Sequence, residues 1–322
     1  MTPAGSPAGV APSNADRPPL LVVAGATATG KTELSIRLAE ALIADGRPTT
    51  VISADSRQVY RGLDIGTAKV SAADRARVPH AGLDLADPPV RVAASDFVAH
   101  AHAVLAEVAA QSGLAILAGG TGLYLRAIAR GLPLDELPND PAVRARLEAE
   151  FARDGLQPLV ARLRAIAPIL ATEVETANPR RVIRALEIAE LRGDGARPGP
   201  RGYGGPVAWL GLEVEPQTHA RWIAARARRQ FADGLVDEAV DLRDRYDPTL
   251  PCFSAIGYRE AWSVADGVRT SDQAIEACAA RTVAFARRQR TWFRSEPDVT
   301  WLDPTTVDPL TTSLAAARRL TD

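Results

Sequence analysis

The feature that most restricts the fold of this chain is the run "LLVVAGATATGKTELSIRLAEALIADG" at residues 20–46. Its opening is an unbroken apolar stretch that reads as a buried strand. From Lys31 the apolar residues recur at helical spacing until the stop at Gly46. Between the two lies "GATATGKT", which matches G-x-x-x-x-G-K-[ST] in the strand and helix context that the pattern needs. A glycine turn opening a helix directs successive N–H groups and the helix N-terminus at one spot, which is a seat for phosphate oxygens. Gly25, Ala26, Thr27, Ala28, Thr29 and Gly30 supply the backbone, Lys31 the charge and Thr32 a hydroxyl for Mg²⁺. A glycine turn that binds nothing is the bland alternative, and the flanking elements argue against it.

The alternation continues. "TTVISADS" (49–56) reads as a second strand, residues 94–113 as a helix, and "LAILAGGTG" (114–122) as a third strand ending in glycines. This pattern predicts a parallel sheet flanked by helices, an α/β fold. From about Asp140 three amphipathic helices follow with no strand between them, "DPAVRARLEAEFARDG", "LQPLVARLRAIAPILA" and "NPRRVIRALEIAELRG". They define an all-helical insertion at residues 135–200, closed by the Gly/Pro/Arg-rich loop 192–206. "VAWLGLEV" (207–214) returns to the sheet; helices are expected from His219 to about Tyr246 and from about Ser271 to Arg294, and "VTWLD" is a last strand. Residues 20–134 and 201–322 thus form the core, and residues 1–19 read as a disordered tail.

No apolar run reaches the roughly 18 residues of a membrane span, and the N-terminus has no signal-peptide pattern. Cys252 and Cys278 lack metal-ligand spacing and read as buried thiols of a cytosolic protein. The formal net charge is −1, but nucleic-acid recognition depends on where charge sits rather than on its sum. Lys31 and Lys69 are the only lysines; every other basic side chain of the Lys/Arg class is arginine. A lysine retained against such a bias marks a place where a compact ammonium is not exchangeable for a planar guanidinium.

Phosphate binding does not establish nucleotide hydrolysis. An NTPase adds a carboxylate at a strand end to manage its metal, whereas the third strand here ends in glycines. The second strand instead leads to Asp55, and parallel sheets collect their sites at strand carboxyl ends. Asp55 is therefore a metal ligand, a base, or only a turn-forming aspartate.

Several segments together resemble the tRNA dimethylallyltransferases, the IPP transferase family: "GATATGKT", "ISADSRQVYRGLDIGTAK" (52–69), "VPHAGLDLADP" (78–88), "LAGGTGLYLRA" (117–127), "LPNDPAVRARLE" (137–148), "NPRRVIRALEI" (178–188), "IGYREAW" (256–262) and "RRQRTWFR" (287–294). The resemblance runs from about Leu20 to about Asp303. It implies a P-loop NTPase-like core and a helical insertion bordering a channel. Dimethylallyl diphosphate would enter one end and a tRNA anticodon stem-loop the other. The transfer would prenylate the exocyclic amine of the adenosine 3′ of the anticodon, in tRNAs reading codons that start with U. The loop would then grip the diphosphate of the prenyl donor, with Thr27, Lys31 and Thr32 contacting it or its Mg²⁺. Asp55 would be the base, Ser56, Arg57 and Gln58 would hold the flipped adenine, Thr121 would lie near the tRNA, and Arg226 would stabilise diphosphate from the other side. The resemblance also implies a monomer.

Arginine clusters, Arg144 and Arg181 among them, supply a tRNA footprint of phosphate contacts, and Gln289 in "RRQRTWFR" is placed with them. About half of these arginines are read as solvated helix faces, and "RRQRTWFR" in isolation as a helix anchoring Trp292 in the core. His80 reads as structural, and Tyr60 and Tyr124 as packing residues. The chain departs from the family pattern at Ala26, Thr29, Ser254 and Trp222; the last two replace expected arginines and bear on tRNA affinity. The rival functions are an adenylate isopentenyltransferase, a small-molecule P-loop kinase, and a tRNA-binding module with a relic loop. The helical insertion and the arginine-rich helix oppose the first, the missing strand-end acid the second, and the joint presence of Lys31, Thr32, Asp55 and Arg226 the third.

Overall fold

The computed structural model describes residues 17–134 and 136–321. The expected tail thus lies outside the described residues up to residue 16. Residues 17–19, counted in that tail, are ordered: Pro18 is buried and its carbonyl accepts a 2.8 Å hydrogen bond from the Tyr203 hydroxyl.

In chain order the elements are β1 (Leu20–Gly25), α1 (Lys31–Ala44), β2 (Thr49–Ser53), α2 (Ala72–Arg77), β3 (His80–Ala81), α3 (Ala94–Ala110), β4 (Leu114–Gly119) and α4 (Gly122–Ala129). Then come α5 (Pro141–Asp154), α6 (Leu156–Ile166), α7 (Pro168–Thr172), α8 (Pro179–Arg192), β5 (Val207–Leu212), α9 (Pro216–Ala232), α10 (Leu235–Arg245), α11 (Tyr258–Ala265), α12 (Ser271–Phe293), β6 (Val299–Leu302) and α13 (Pro309–Arg319).

The six strands form one sheet in the order β3-β2-β4-β1-β5-β6, and every pairing is parallel. Val22 of β1 stands opposite Leu117 of β4 on one side and Trp209 of β5 on the other. β1 and β4 are buried along their whole length, as strands covered on both faces must be. One face packs through Leu21 and Val23 with Leu34, Leu38 and Leu42 of α1 and with Ala316 and Ala317 of α13. The α1 crossover carries the chain from β1 over β4 to β2. The carboxyl ends of β1, β2 and β4 therefore come together, and the loops after them build the site.

The chain forms two compact units, Leu132–Arg201 and the remainder. The smaller unit has its own core, with Leu147, Leu163, Val182, Leu186 and Ile188 buried in the spacing their helices dictate. The expected helix 156–171 breaks at Ala167, where Pro168 opens α7, because proline has no N–H for a continuing ladder. The expected helix from His219 to Tyr246 also breaks, at Asp233 and Gly234, and α10 starts from Gly234 at φ 100°. The second strand stops at Ser53, so Asp55 lies in the turn beyond it.

Candidate active site

The phosphate loop follows β1 directly. Its helix α1 starts from Gly30 at φ 92°, a backbone that L side chains rarely adopt, and no side chain caps its N-terminus. Helices α5, α8, α9 and α12 each have a capping side chain, Asp140, Asn178, Glu215 and Thr270. The first N–H groups of α1 keep their donor capacity, which is the property an anion uses. Thr29 is buried and its hydroxyl donates to Ala26 O at 2.9 Å, fixing the loop from within.

Lys31 Nζ donates to Ala26 O at 2.6 Å. Burial pulls its ammonium down to about 7; Arg226 adds to the fall and Asp55 opposes it. Arg226, on α9, reaches Thr27 Oγ1 at 3.2 Å and Thr67 O at 3.3 Å, and burial lowers its guanidinium against the opposing field of Asp55. Two desolvated cations and one carboxylate thus share the space beside the loop.

Asp55 performs the turn role and leaves a second role open. Its Oδ1 accepts from Arg57 N at 2.8 Å and from Gln58 N at 3.4 Å, a side-chain-to-backbone turn. Oδ2 takes neither bond. Thr121 adjoins it, its hydroxyl accepting from Ser56 N at 3.1 Å while its own N–H donates to Ala54 O. The glycine turn after β4 carries no carboxylate, as the sequence states.

The residues expected to hold an adenine divide. Arg57 is tied to Pro251 O at 3.0 Å and to the Ser254 hydroxyl at 2.7 Å, so Ser254, which departs from the family pattern, anchors an arginine here. Gln58 is buried, accepts from Ser53 Oγ and donates to Thr67 O and Ala68 O. Its amide is spent within the protein. Gln289, expected among the tRNA contacts, is buried too; its Oε1 accepts from Thr27 N and its Nε2 donates to Gly120 O, so its amide is turned toward the loops of the protein. Trp292 is half-buried, with Arg126 over its ring, while its neighbour Phe293 is fully buried in the core. This corrects the expected Trp292 anchor. His80 Nδ1 pairs with Val78 O, and Tyr124 stacks on Phe97 at 4.0 Å between ring centroids. Both are structural.

In the helical unit, Arg144 and Arg184 pair with the fully buried Glu187. Arg144 is thereby half-buried and tied to a buried carboxylate of that unit. Arg181 is exposed and meets Glu175 at 2.8 Å. Arg164, Arg180, Arg228, Arg229, Arg287 and Arg288 are exposed and form no ion pair among the described residues.

Sequence reasoning missed His219, whose Nε2 lies 2.8 Å from Thr27 O and whose imidazole burial holds below its ordinary value. Its separation from Arg226, two helical turns, was the available signal. For Gln289 the signal was a lone polar residue in the buried stripe Cys278, Ala286, Phe293. Glu238 was missed as well; it accepts from the N–H groups of Asp64, Ile65 and Gly66 and from the Tyr258 hydroxyl, which orders the 64–67 loop that Arg226 touches. Among the described residues no three His, Cys, Asp or Glu side chains converge to hold a metal.

A glycine phosphate loop at the carboxyl end of a central strand, in a parallel sheet covered by helices, defines a P-loop α/β protein. Within that class the chain belongs to the IPP transferase family, whose description matches residues 58–296. It is 41% identical over 297 residues to a tRNA dimethylallyltransferase of Kineococcus radiotolerans, covering 91% of this chain and 93% of that one. A tRNA dimethylallyltransferase of Roseiflexus sp. is 42% identical over 288 residues, covering 87% and 92%. Among solved structures, the tRNA isopentenylpyrophosphate transferase of Bacillus halodurans superposes with a TM-score of 0.67 at 36% identity, over 94% of this chain and 95% of that one.

Proposed function

We propose that this protein transfers the dimethylallyl group of dimethylallyl diphosphate to the exocyclic amine of the adenosine 3′ of the anticodon, in tRNAs reading codons that start with U. The membership in the IPP transferase family and the names of its relatives support the reaction class. The observation that carries the reading is the Asp55 carboxylate standing within the field of Lys31 and Arg226 beside an uncapped phosphate loop. A kinase needs an acid that manages metal at this sheet edge; Asp55 has a basic pair for company instead.

In the reaction the allylic C1–O bond of the donor breaks and the bond from adenine nitrogen to C1 forms. The electron pair of the broken bond leaves with diphosphate. One proton of the amine passes to Asp55 Oδ2, the oxygen not engaged by the turn. A delocalised amine lone pair is a poor nucleophile, so a carboxylate accepting its hydrogen as the bond forms lowers the barrier. Lys31, Arg226, the α1 N-terminus and the Thr27 hydroxyl stabilise the departing charge. One preorganised group of this kind is typically worth about 3–4 kcal/mol. Two mutually repelling cations gain from a polyanion between them. The adenosine must leave the anticodon-loop stack, which costs a few kcal/mol, and exposed arginines such as Arg181 and Arg287 hold the RNA backbone by charge.

The donor set suits a magnesium ion carried by substrate. Thr32 offers one exposed hydroxyl, and Mg²⁺ keeps waters and binds largely through phosphates. When bound it supplies further neutralisation of the leaving group. No helix among the described residues is long and apolar enough to cross a membrane; we take the enzyme to be a cytoplasmic monomer.

The test offers purified protein, Mg²⁺ and labelled dimethylallyl diphosphate to an anticodon stem-loop with adenosine 3′ of its anticodon, to the same loop with that base replaced, and to free AMP. Label on the first alone is the expected result. Label on AMP moves the assignment to adenylate prenylation, and ATP turnover without transfer moves it to a kinase.

A further inference from the structure

Thr27 is held from three directions by side chains far along the sequence. Its N–H donates to Gln289 Oε1 at 2.9 Å, its carbonyl accepts from His219 Nε2 at 2.8 Å, and its hydroxyl accepts from Arg226 Nη1 at 3.2 Å. The Gln289 amide continues the chain of contacts, its Nε2 donating to Gly120 O at 2.8 Å. One side chain on α12 therefore ties the loop after β1 to the loop after β4. Both Gln289 and His219 are buried, at 8% and 6% exposure, and a β-carbon at position 120 would collide with Gln289 Nε2, so a larger residue there would displace this amide.

This bridge changes the donor set of the loop. A phosphate loop works through its backbone N–H groups, and the Thr27 N–H is already given to Gln289. The hydroxyl of Thr27 and the guanidinium of Arg226 are what that corner can direct at a leaving group. We propose that Gln289 is a positioning residue for the diphosphate, fixing Thr27 and through it Arg226, with His219 as the second strut. It does so without touching RNA. The proposal rests on the prenyl-transfer reading for what the diphosphate is, but its geometry concerns the loop alone.

The energetics favour a role in precision. Removing Gln289 leaves the Thr27 N–H and the Gly120 carbonyl, both half-buried, without these partners, which lets the loop take other arrangements. Leaving-group stabilisation depends on donors already in place. Contacts that hold an RNA backbone from exposed arginines do not depend on this bridge.

The test compares Gln289→Ala, Gln289→Glu and His219→Ala with wild type. Glutamate keeps an acceptor for Thr27 N but cannot donate to Gly120 O, so it breaks only the Gly120 half of the bridge, and His219→Ala gives a second variant that perturbs Thr27 should the alanine fail to fold. Affinity for inorganic diphosphate with Mg²⁺ is measured by calorimetry, and kcat and both KM values by prenyl transfer to the stem-loop. For Gln289→Ala, diphosphate affinity and kcat should each fall about tenfold, less than for a direct donor. Gln289→Glu should fall at least as far as alanine, because its carboxylate faces the Gly120 carbonyl and repels diphosphate, and KM for the stem-loop should stay within about twofold. A raised stem-loop KM with diphosphate affinity unchanged would make Gln289 an RNA contact and overturn the proposal, as would unchanged diphosphate affinity in a folded Gln289→Glu with kcat at the wild-type value. If wild type binds diphosphate but prenylates no acceptor, the functional reading fails, and the effect of the variants on diphosphate affinity still decides the role of Gln289.

Discussion

The two lysines of this arginine-rich chain show how much a single ammonium can decide. Lys69 is only 1% exposed in its side chain, and its Nζ meets Tyr60 O at 2.7 Å, Asp64 Oδ1 at 2.6 Å and Asp84 Oδ1 at 2.7 Å. Three acceptors use all three of its hydrogens, a pattern a planar fork cannot meet. Its retention has a structural cause. We expect Lys69→Met to cost roughly 2 kcal/mol in urea unfolding, below the range for fully buried pairs because Asp64 and Asp84 are partly exposed. Lys31 is the opposite case, a cation held at a cost. Lys31→Met should abolish diphosphate binding in calorimetry while raising Tm by about 2–4 °C, since a desolvated charge facing Arg226 is removed. Asp55 separates its two roles by substitution. Asparagine keeps an oxygen for Arg57 N, so Asp55→Asn should change stability by less than about 1 kcal/mol yet lower transfer about 10²-fold to 10⁴-fold. Loss of stability in proportion to activity would return Asp55 to a turn residue.

At the scale of elements, α5 and α8 are joined by Glu187, which is fully buried and accepts from Asp140 N at 3.0 Å while pairing with Arg144 and Arg184. Burial alone would raise its carboxyl, but the Arg144 and Arg184 bonds and the Asp140 amide outweigh that and hold it below the usual range. A depressed carboxyl contributes stability that is complete above the unfolded value and is lost as pH falls through the folded one. The unit 132–201 should therefore loosen on acidification below about pH 4.3, read as faster amide exchange in α5 and α8. Glu187→Gln should remove that step and weaken the unit at neutral pH. The α9–α10 break has a related lesson: the hydrophobic period runs through residues 219–246, and only Asp233-Gly234 says where the helix stops. The C-terminal helix α13 escaped notice because its apolar residues are mostly alanines, which carry little periodic signal, although they close the face of the sheet over α1.

At the scale of the whole molecule, what could be read in advance was whatever is encoded by neighbours in sequence. The strand, loop and helix of residues 20–46, the helical character of residues 141–192 and the family resemblance are all local patterns, because hydrogen-bond ladders and side-chain periods span only a few residues. The partners of Thr27 lie 262, 192 and 199 residues away. No local period relates Gln289 to Gly120, His219 to Thr27, or Glu238 to the 64–66 amides. The sequence by itself determined that a phosphate loop would form and which family the chain resembles. Only the tertiary structure decided that Lys69 and Gln58 are scaffolding, that Arg144 serves a buried carboxylate, and that Gln289 faces the loop rather than solvent. The reason is that the pairing order β2-β4-β1-β5 and the packing of α9 and α12 bring those side chains together, and a buried polar group takes whichever partner that packing puts within reach.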